Sequence, residues 1–105
     1  MVDTQGGLTP FFEPRSVAIV GASAVPGKAG HELIRNIQAN GYPGRLHPVN
    51  PKGGEILGLP VSASIAGLPD GVDLALVVLP AEGTPAAVRQ CAARGIRHIV
   101  LMAGG

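Results

Sequence analysis

The stretch Ser16-Val17-Ala18-Ile19-Val20-Gly21-Ala22-Ser23, continued by Ala24-Val25-Pro26-Gly27-Lys28-Ala29-Gly30, decides the fold. From Val17 to Val20 it is apolar without alternation, the pattern of a strand buried on both faces, as in a parallel sheet covered by helices. Gly21 ends the strand. Pro26, Gly27 and Gly30 then carry a loop into a helix expected from about His31 to Asn40, with Leu33, Ile34 and Ile37 on one face and Asn40-Gly41 as its stop.

Outward from this unit the alternation continues. After the turn Tyr42-Pro43-Gly44, Leu46 to Val49 reads as a second strand closed by Asn50-Pro51. Leu59 to Val61 is expected as a third strand, at an edge because of Pro60, and Ile65 to Leu68 as one helical turn. Asp73 to Leu79 is the plainest buried strand. Thr84 is expected to cap a second helix with Pro85 in its first position, Val88, Cys91 and Ala92 on its apolar face and Gly95 at its end. His98 to Met102 is the last strand. The series predicts a single α/β domain, a Rossmann-like doubly wound parallel sheet of about five strands with right-handed crossovers. Residues 1–12 read as an N-terminal arm and 13–105 as the domain.

Composition narrows the function classes. Hydrophobic residues at 46% against charged residues at 14% exclude a disordered chain. A net charge of +1 with no basic run supplies no field to gather nucleic acid or an anionic membrane. Phe11, Phe12 and Tyr42 are the only aromatics, too few for a platform on which single strands could stack. The longest apolar run, Leu74 to Leu79, is far shorter than the roughly 20 residues of a spanning helix. The first ten residues have no basic n-region or apolar stretch of a signal peptide, and the lone Cys91 cannot close an internal disulfide. Together these lead us to expect a cytoplasmic protein.

In an open parallel sheet, ligands sit at the carboxyl ends of the strands. Four segments should converge there: Gly21 to Gly30, Asn50 to Lys52, Pro80 to Gly83 and Ala103 to Gly105. The first is a strand-to-helix turn, where backbone amides and the positive helix end favour a phosphate; its candidate contacts are Gly21, Ala22, Ser23, Pro26, Gly27 and Lys28. It is not a P-loop, because five residues separate Gly21 from Gly27 and Ala29 follows Lys28. Nor is it a dinucleotide GxGxxG, since Ser23 and Pro26 stand where glycines would be needed. An ordinary Gly-rich turn is the competing reading.

The second segment, Asn50-Pro51-Lys52, has no carboxylate before Glu55, whereas NAD-binding proteins usually place one here against the ribose hydroxyls. A lysine suits a phosphorylated ribose, which leaves coenzyme A and NADP both eligible; a solvated surface lysine is the plain alternative. Leu79-Pro80-Ala81 reads equally as an apolar wall for an adenine or pantetheine arm and as a simple strand stop. His31, His47 and His98 have no Cys, Asp or Glu at metal-ligand or triad spacing, and Cys91 reads as packing. We therefore expect no catalytic residue and no metal.

Phe11-Phe12-Glu13-Pro14-Arg15-Ser16-Val17-Ala18-Ile19-Val20-Gly21-Ala22-Ser23 with Pro26-Gly27, then Gly41-Tyr42-Pro43-Gly44 through Pro48-Val49-Asn50-Pro51-Lys52, resembles the N-terminal coenzyme A-binding domain of NDP-forming acyl-CoA synthetases, relatives of the succinyl-CoA synthetase alpha subunit. Ile56-Leu57-Gly58-Leu59-Pro60, Val72-Asp73-Leu74-Ala75 and Leu79-Pro80-Ala81 continue the likeness; His47, where an aromatic is usual, departs from it. The resemblance implies coenzyme A as cofactor. It puts Ala22, Ser23, Pro26 and Gly27 around the phosphates, Lys52 after the second strand, and Leu79 to Ala81 after the fourth. It further implies downstream ligase and ATP-grasp domains as partners, which would carry out thioester formation, and a chain that is the N-terminal part of a longer protein. The same module also heads some protein lysine acetyltransferases. An NADP-dependent oxidoreductase domain is the rival from another class.

Overall fold

A computed structural model describes residues 14–102; the expected arm, Glu13 and the segment 103–105 lie outside the described residues. In chain order the elements are β1 (Ser16–Val20), α1 (Ala29–Ala39), β2 (Arg45–Val49), β3 (Glu55–Ile56), β4 (Leu59–Pro60), β5 (Leu74–Val77), α2 (Thr84–Ala93) and β6 (His98–Leu101), with 3₁₀ turns at Ile65–Gly67 and Ala81–Gly83. Four strands form one parallel sheet in the order β2-β1-β5-β6.

The side chains of β1 explain its unbroken apolar run. Ala18 and Val20 enter a core with Ala75 and Val77 of β5 and with Ala87 and Cys91 of α2. Val17 and Ile19 enter a second core with Leu74 and with Ile34 of α1. The two helices thus cover opposite faces, which is the doubly wound arrangement, and the central strands have no polar side to show.

Three expectations need correction. The sheet has four strands, not about five, because Leu59–Pro60 pairs antiparallel with Glu55–Ile56 in a separate hairpin. Leu57 and Gly58 have φ of 49° and 82°, the two positive values of a tight hairpin turn that sends the chain back on itself. The chain reaches β2 only afterwards. Ser62 N–H donates to the Pro48 carbonyl at 2.9 Å and Asn50 N–H to the Ser62 carbonyl at 3.0 Å, a single bridge and not a strand. Thr84 does not cap α2. The turn Ala81–Gly83 runs straight into the helix, Gly83 is the cap, and the Thr84 hydroxyl donates to the Pro80 carbonyl at 3.2 Å. The buried face of α2 is Ala87 and Cys91; Val88 is half-buried and Ala92 exposed.

Close backbone contact joins the first unit to the centre of the sheet. A Cβ on Gly30 would lie 2.0 Å from the Gly21 carbonyl oxygen, and one on Gly21 would lie 2.0 Å from the Val78 carbonyl oxygen. No side chain fits at either position without moving backbone. Gly30→Ala should therefore destabilise the fold by about 2–3 kcal/mol in urea unfolding. Leu57→Asn, which relieves a left-handed leucine, should gain about 0.5 kcal/mol. An unchanged midpoint for Gly30→Ala would show that the helix end can lift off the strand freely.

Candidate functional site

The strand order reverses between β1 and β5: the chain leaves β1 toward β2 on one side and later runs outward to β6 on the other. Such a reversal leaves a crevice beyond the carboxyl ends of the strands. A cleft of about 480 Å³ opens there. One wall is Gly21, Ala22 and Ser23 with Lys28, Ala29 and Gly30 at the start of α1. The second is Asn50 and Pro51 with Ala63, Ser64 and Ile65, and the third is Val78, Leu79 and Pro80 with Gly83, Ala86, Ala87 and Gln90.

Most of the residues singled out from sequence are thereby brought together: Gly21, Ala22, Ser23, Lys28, Asn50, Pro51, Leu79 and Pro80 all line the cleft. Pro26, Gly27 and Lys52 are exposed and do not line it. Ala81 lines a neighbouring cleft with Thr84, Pro85, Leu101 and Met102, and Leu79 and Pro80 stand between the two. Sequence reasoning missed the α2 wall and Ser64. The α2 signal was present, since Gly83, Ala86, Ala87 and Gln90 recur at helical spacing with side chains small enough to leave room. Ser64 had no such signal, because its place depends on the hairpin before it.

Hydrogen bonds show which groups of the loops are already committed. The Val49 carbonyl accepts from the amides of Gly21 at 3.3 Å and Ala22 at 3.2 Å. Asn50 ties the first two loops together: its Nδ2 donates to the Ala22 carbonyl at 2.8 Å and its Oδ1 accepts from the Lys52 amide at 2.8 Å. Ser23 Oγ accepts from the Val25 amide at 3.0 Å, and the Gly27 amide donates to Glu32 Oε2 at 3.0 Å. What faces the cleft at the helix end is different. Lys28, the N-cap, makes no side-chain cap, and the amides of Ala29 and Gly30 fall among those an α-helix cannot satisfy internally. The positive end of α1 and the Lys28 side chain therefore meet at one rim, while the other two walls are mainly apolar.

Among the described residues, the groups whose titration is shifted lie outside this cleft. Glu32 is held down to about 2 by the bond from the Gly27 amide, then by those from Arg35 and His31. His31, for which the sequence suggested no carboxylate partner, is buried with Nδ1 3.1 Å from Glu32 Oε2. Burial pushes His47 down, helped by Arg45, and pushes the Cys91 thiol up, which makes it a poor nucleophile. Among the described residues no group of three or more His, Cys, Asp or Glu is placed to hold a metal.

A cleft at the switch point, with a helix N-terminus and a lysine at one end and apolar walls beyond, fits a ligand that joins phosphates to an apolar arm. Comparison with known families agrees: the CoA binding domain family matches residues 15–105. The chain belongs to that family. Coenzyme A is the cofactor of this domain. The chain is 40% identical over 98 residues to the ADP-forming acetate–CoA ligase II of Archaeoglobus fulgidus, covering 93% of this chain and 15% of that protein. It is 39% identical over 102 residues to the alpha subunit of the ADP-forming acetate–CoA ligase I of Pyrococcus furiosus, covering 93% and 22%. The solved dinucleotide forming acetyl-coenzyme A synthetase 1 of Ca. Korarchaeum cryptofilum, in complex with phosphate and ADP, superposes with a TM-score of 0.88 at 32% identity, over 93% of this chain and 21% of that one. The CoA-binding domain thus spans about a fifth of these relatives or less. Among the described residues no helix is long and apolar enough to cross a membrane.

Two stability measurements check this account of the loops. Asn50→Ala removes both struts and should cost about 1–2 kcal/mol. The Glu32 carboxyl has a folded pKa of about 2 against 4.5 in the unfolded chain, so its stabilisation is complete above pH 4.5 and lost as pH falls toward 2. In denaturant midpoints taken across that window, the gap between the natural chain and Glu32→Gln should close as pH falls; a constant gap would mean that ionised Glu32 is not held by its partners.

Proposed function

We propose that the chain is the coenzyme A-holding domain of an ADP-forming acyl-CoA synthetase, an acid–thiol ligase. The observation that carries this reading is the meeting of Lys28 and the N-terminus of α1 on the apolar cleft, in a chain of the CoA binding domain family. In this reading the pyrophosphate lies against Lys28 and the first turn of α1, with the Ser23 hydroxyl beside it. Lys52, exposed next to Pro51 at the rim, meets the 3′-phosphate of the ribose. The wall of Leu79 and Pro80, with Ala81 beyond it, guides the pantetheine arm outward. Gly21, Ala22, Asn50 and Pro51 shape the floor, and Pro26 and Gly27 set the course of the loop.

Forming a thioester from an acid requires an activated carboxyl group, and activation calls for phosphoryl transfer under a cationic or metal clamp. Among the described residues, those that line the cleft include no paired carboxylates and no histidine. Its contribution is positional: it holds the thiol of coenzyme A where ligase and ATP-grasp domains of the longer cytoplasmic protein can reach it. The relatives named as acetate–CoA ligases support a carboxylic acid as the second substrate.

Calorimetry with coenzyme A, dephospho-coenzyme A, NADP and NAD tests the reading. Coenzyme A should bind and NAD should not; binding of NADP in place of coenzyme A would overturn it. Lys52→Ala should weaken coenzyme A about fivefold and leave dephospho-coenzyme A unchanged, the loss shrinking in high salt. Lys28→Ala should weaken both ligands alike, since both carry the pyrophosphate. Equal losses for Lys52→Ala on the two ligands would remove Lys52 from the 3′-phosphate.

A further inference from the structure

A carboxylate outside the cleft holds the loop that borders it. Gly27 takes a φ of 91° at the bend of the loop and does not line the cleft. Its amide donates to Glu32 Oε2 at 3.0 Å, from one turn inside α1. The same oxygen is 3.1 Å from Nδ1 of the buried His31, while Oε1 accepts from Arg35 Nε at 2.9 Å and is also reached by Arg35 Nη2. Glu32 is therefore fixed from two sides before it grips the loop. It ties the residue that precedes the N-cap to the helix, while Lys28 itself supplies no side-chain cap.

The position of this carboxylate matters for an anionic ligand. A negative charge near a helix N-terminus competes for the field that would otherwise favour a phosphate. Here the charge is paired with Arg35 and held beyond the loop, and neither Glu32 nor Gly27 lines the cleft. Within residues 23–28, the bonds from the Val25 amide to Ser23 Oγ at 3.0 Å and from the Lys28 amide to the Val25 carbonyl at 3.2 Å span only neighbouring residues. The Lys28 carbonyl accepts from the His31 and Glu32 amides at 3.0 Å, and the bond from the Gly27 amide to Glu32 extends this tie to the bend of the loop.

We infer that Glu32 is a positioning residue: by holding the Gly27 amide from outside the cleft, it fixes the course of residues 23–28 so that Lys28 and the first turn of α1 face the phosphates of coenzyme A. The inference rests on the proposed coenzyme A site. Its separate content is that the geometry of the bond matters, and not the presence of the charge.

Three variants of the full chain separate these, each titrated with coenzyme A by calorimetry well below its melting temperature. Glu32→Asp keeps the charge but is one methylene too short for Gly27, and Glu32→Ala removes both; each should weaken coenzyme A about fivefold. Glu32→Gln keeps the reach and an acceptor oxygen, and should stay within about twofold of the natural chain. Amide exchange at Gly27 should speed up strongly in Glu32→Asp and Glu32→Ala and only modestly in Glu32→Gln, which keeps an acceptor without the charge. Unchanged affinity in Glu32→Asp, tighter binding in Glu32→Ala, or a loss in Glu32→Gln equal to that in Glu32→Ala would each overturn the inference. If Glu32→Ala fails to fold, the Asp and Gln variants decide alone. No binding of coenzyme A by the natural chain would instead overturn the site on which the inference rests.

Discussion

The architecture depends on one constraint, the backbone-to-backbone contact among Gly21, Gly30 and Val78. With no Cβ at Gly21 or Gly30, the start of α1 can lie directly on the exit of β1, and the exit of β1 directly against that of β5. That contact places the positive helix end at the point where strand order reverses. If any of the three were held apart by a side chain, α1 would begin farther from the sheet and the cleft would lose its cationic wall. The apolar cores on the two faces then keep the arrangement in place, α1 over one face through Ile34 and α2 over the other through Ala87 and Cys91.

A Gly-rich loop is easily taken as a row of free amides, and here most of them have other work. Those of Gly21 and Ala22 bond the Val49 carbonyl, that of Gly27 bonds Glu32, and that of Val25 bonds Ser23. The loop is preorganised by its own hydrogen bonds, which lowers the entropy to be lost when a ligand orders it. In the proposed site, attraction for phosphate is left to Lys28 and the first turn of the helix. This division also accounts for the role of Asn50, which at the end of β2 in a NAD-binding protein would be a ribose-binding acid. It bonds the Ala22 and Lys52 backbone and so joins two loops.

The parts of the fold legible in the sequence were those set by local burial. β1 and β5 could be read because strands covered on both faces must be continuously apolar, and α1 because Ile34 and its neighbours fall on one helical face. The hairpin of β3 and β4 was not legible as such. Its turn uses Leu57 at positive φ, a residue that carries no turn signal, and its tertiary setting overrides that preference. Thr84 was misread because a cap is defined by the backbone before it, and a 3₁₀ turn there had already begun the helix. For the site, the segments could be assigned but the directions of their side chains could not. Lys52 drew attention by following the second strand, whereas only the folded loop shows that Lys28 is the lysine lining the cleft.

The composition of the cleft argues for what kind of site it is. Among the described residues that line it, Lys28 alone is ionisable; the rest are glycine, alanine, proline, aliphatic side chains, two serines and two amides. An ammonium holds a phosphate and donates to it, but a general acid–base step needs a group whose proton moves back and forth at working pH, and a nucleophilic step needs a base beside the nucleophile. Ser23 and Ser64 have neither histidine nor carboxylate beside them in the cleft. The groups with perturbed titration, Glu32, His47, Tyr42 and Cys91, are all elsewhere, each accounted for by burial or by structural bonds. Small residues and committed amides suit a surface that must lie close along an extended cofactor without reacting with it. A domain that holds coenzyme A requires that, because a reactive group beside the bound thiol would spend it in side reactions.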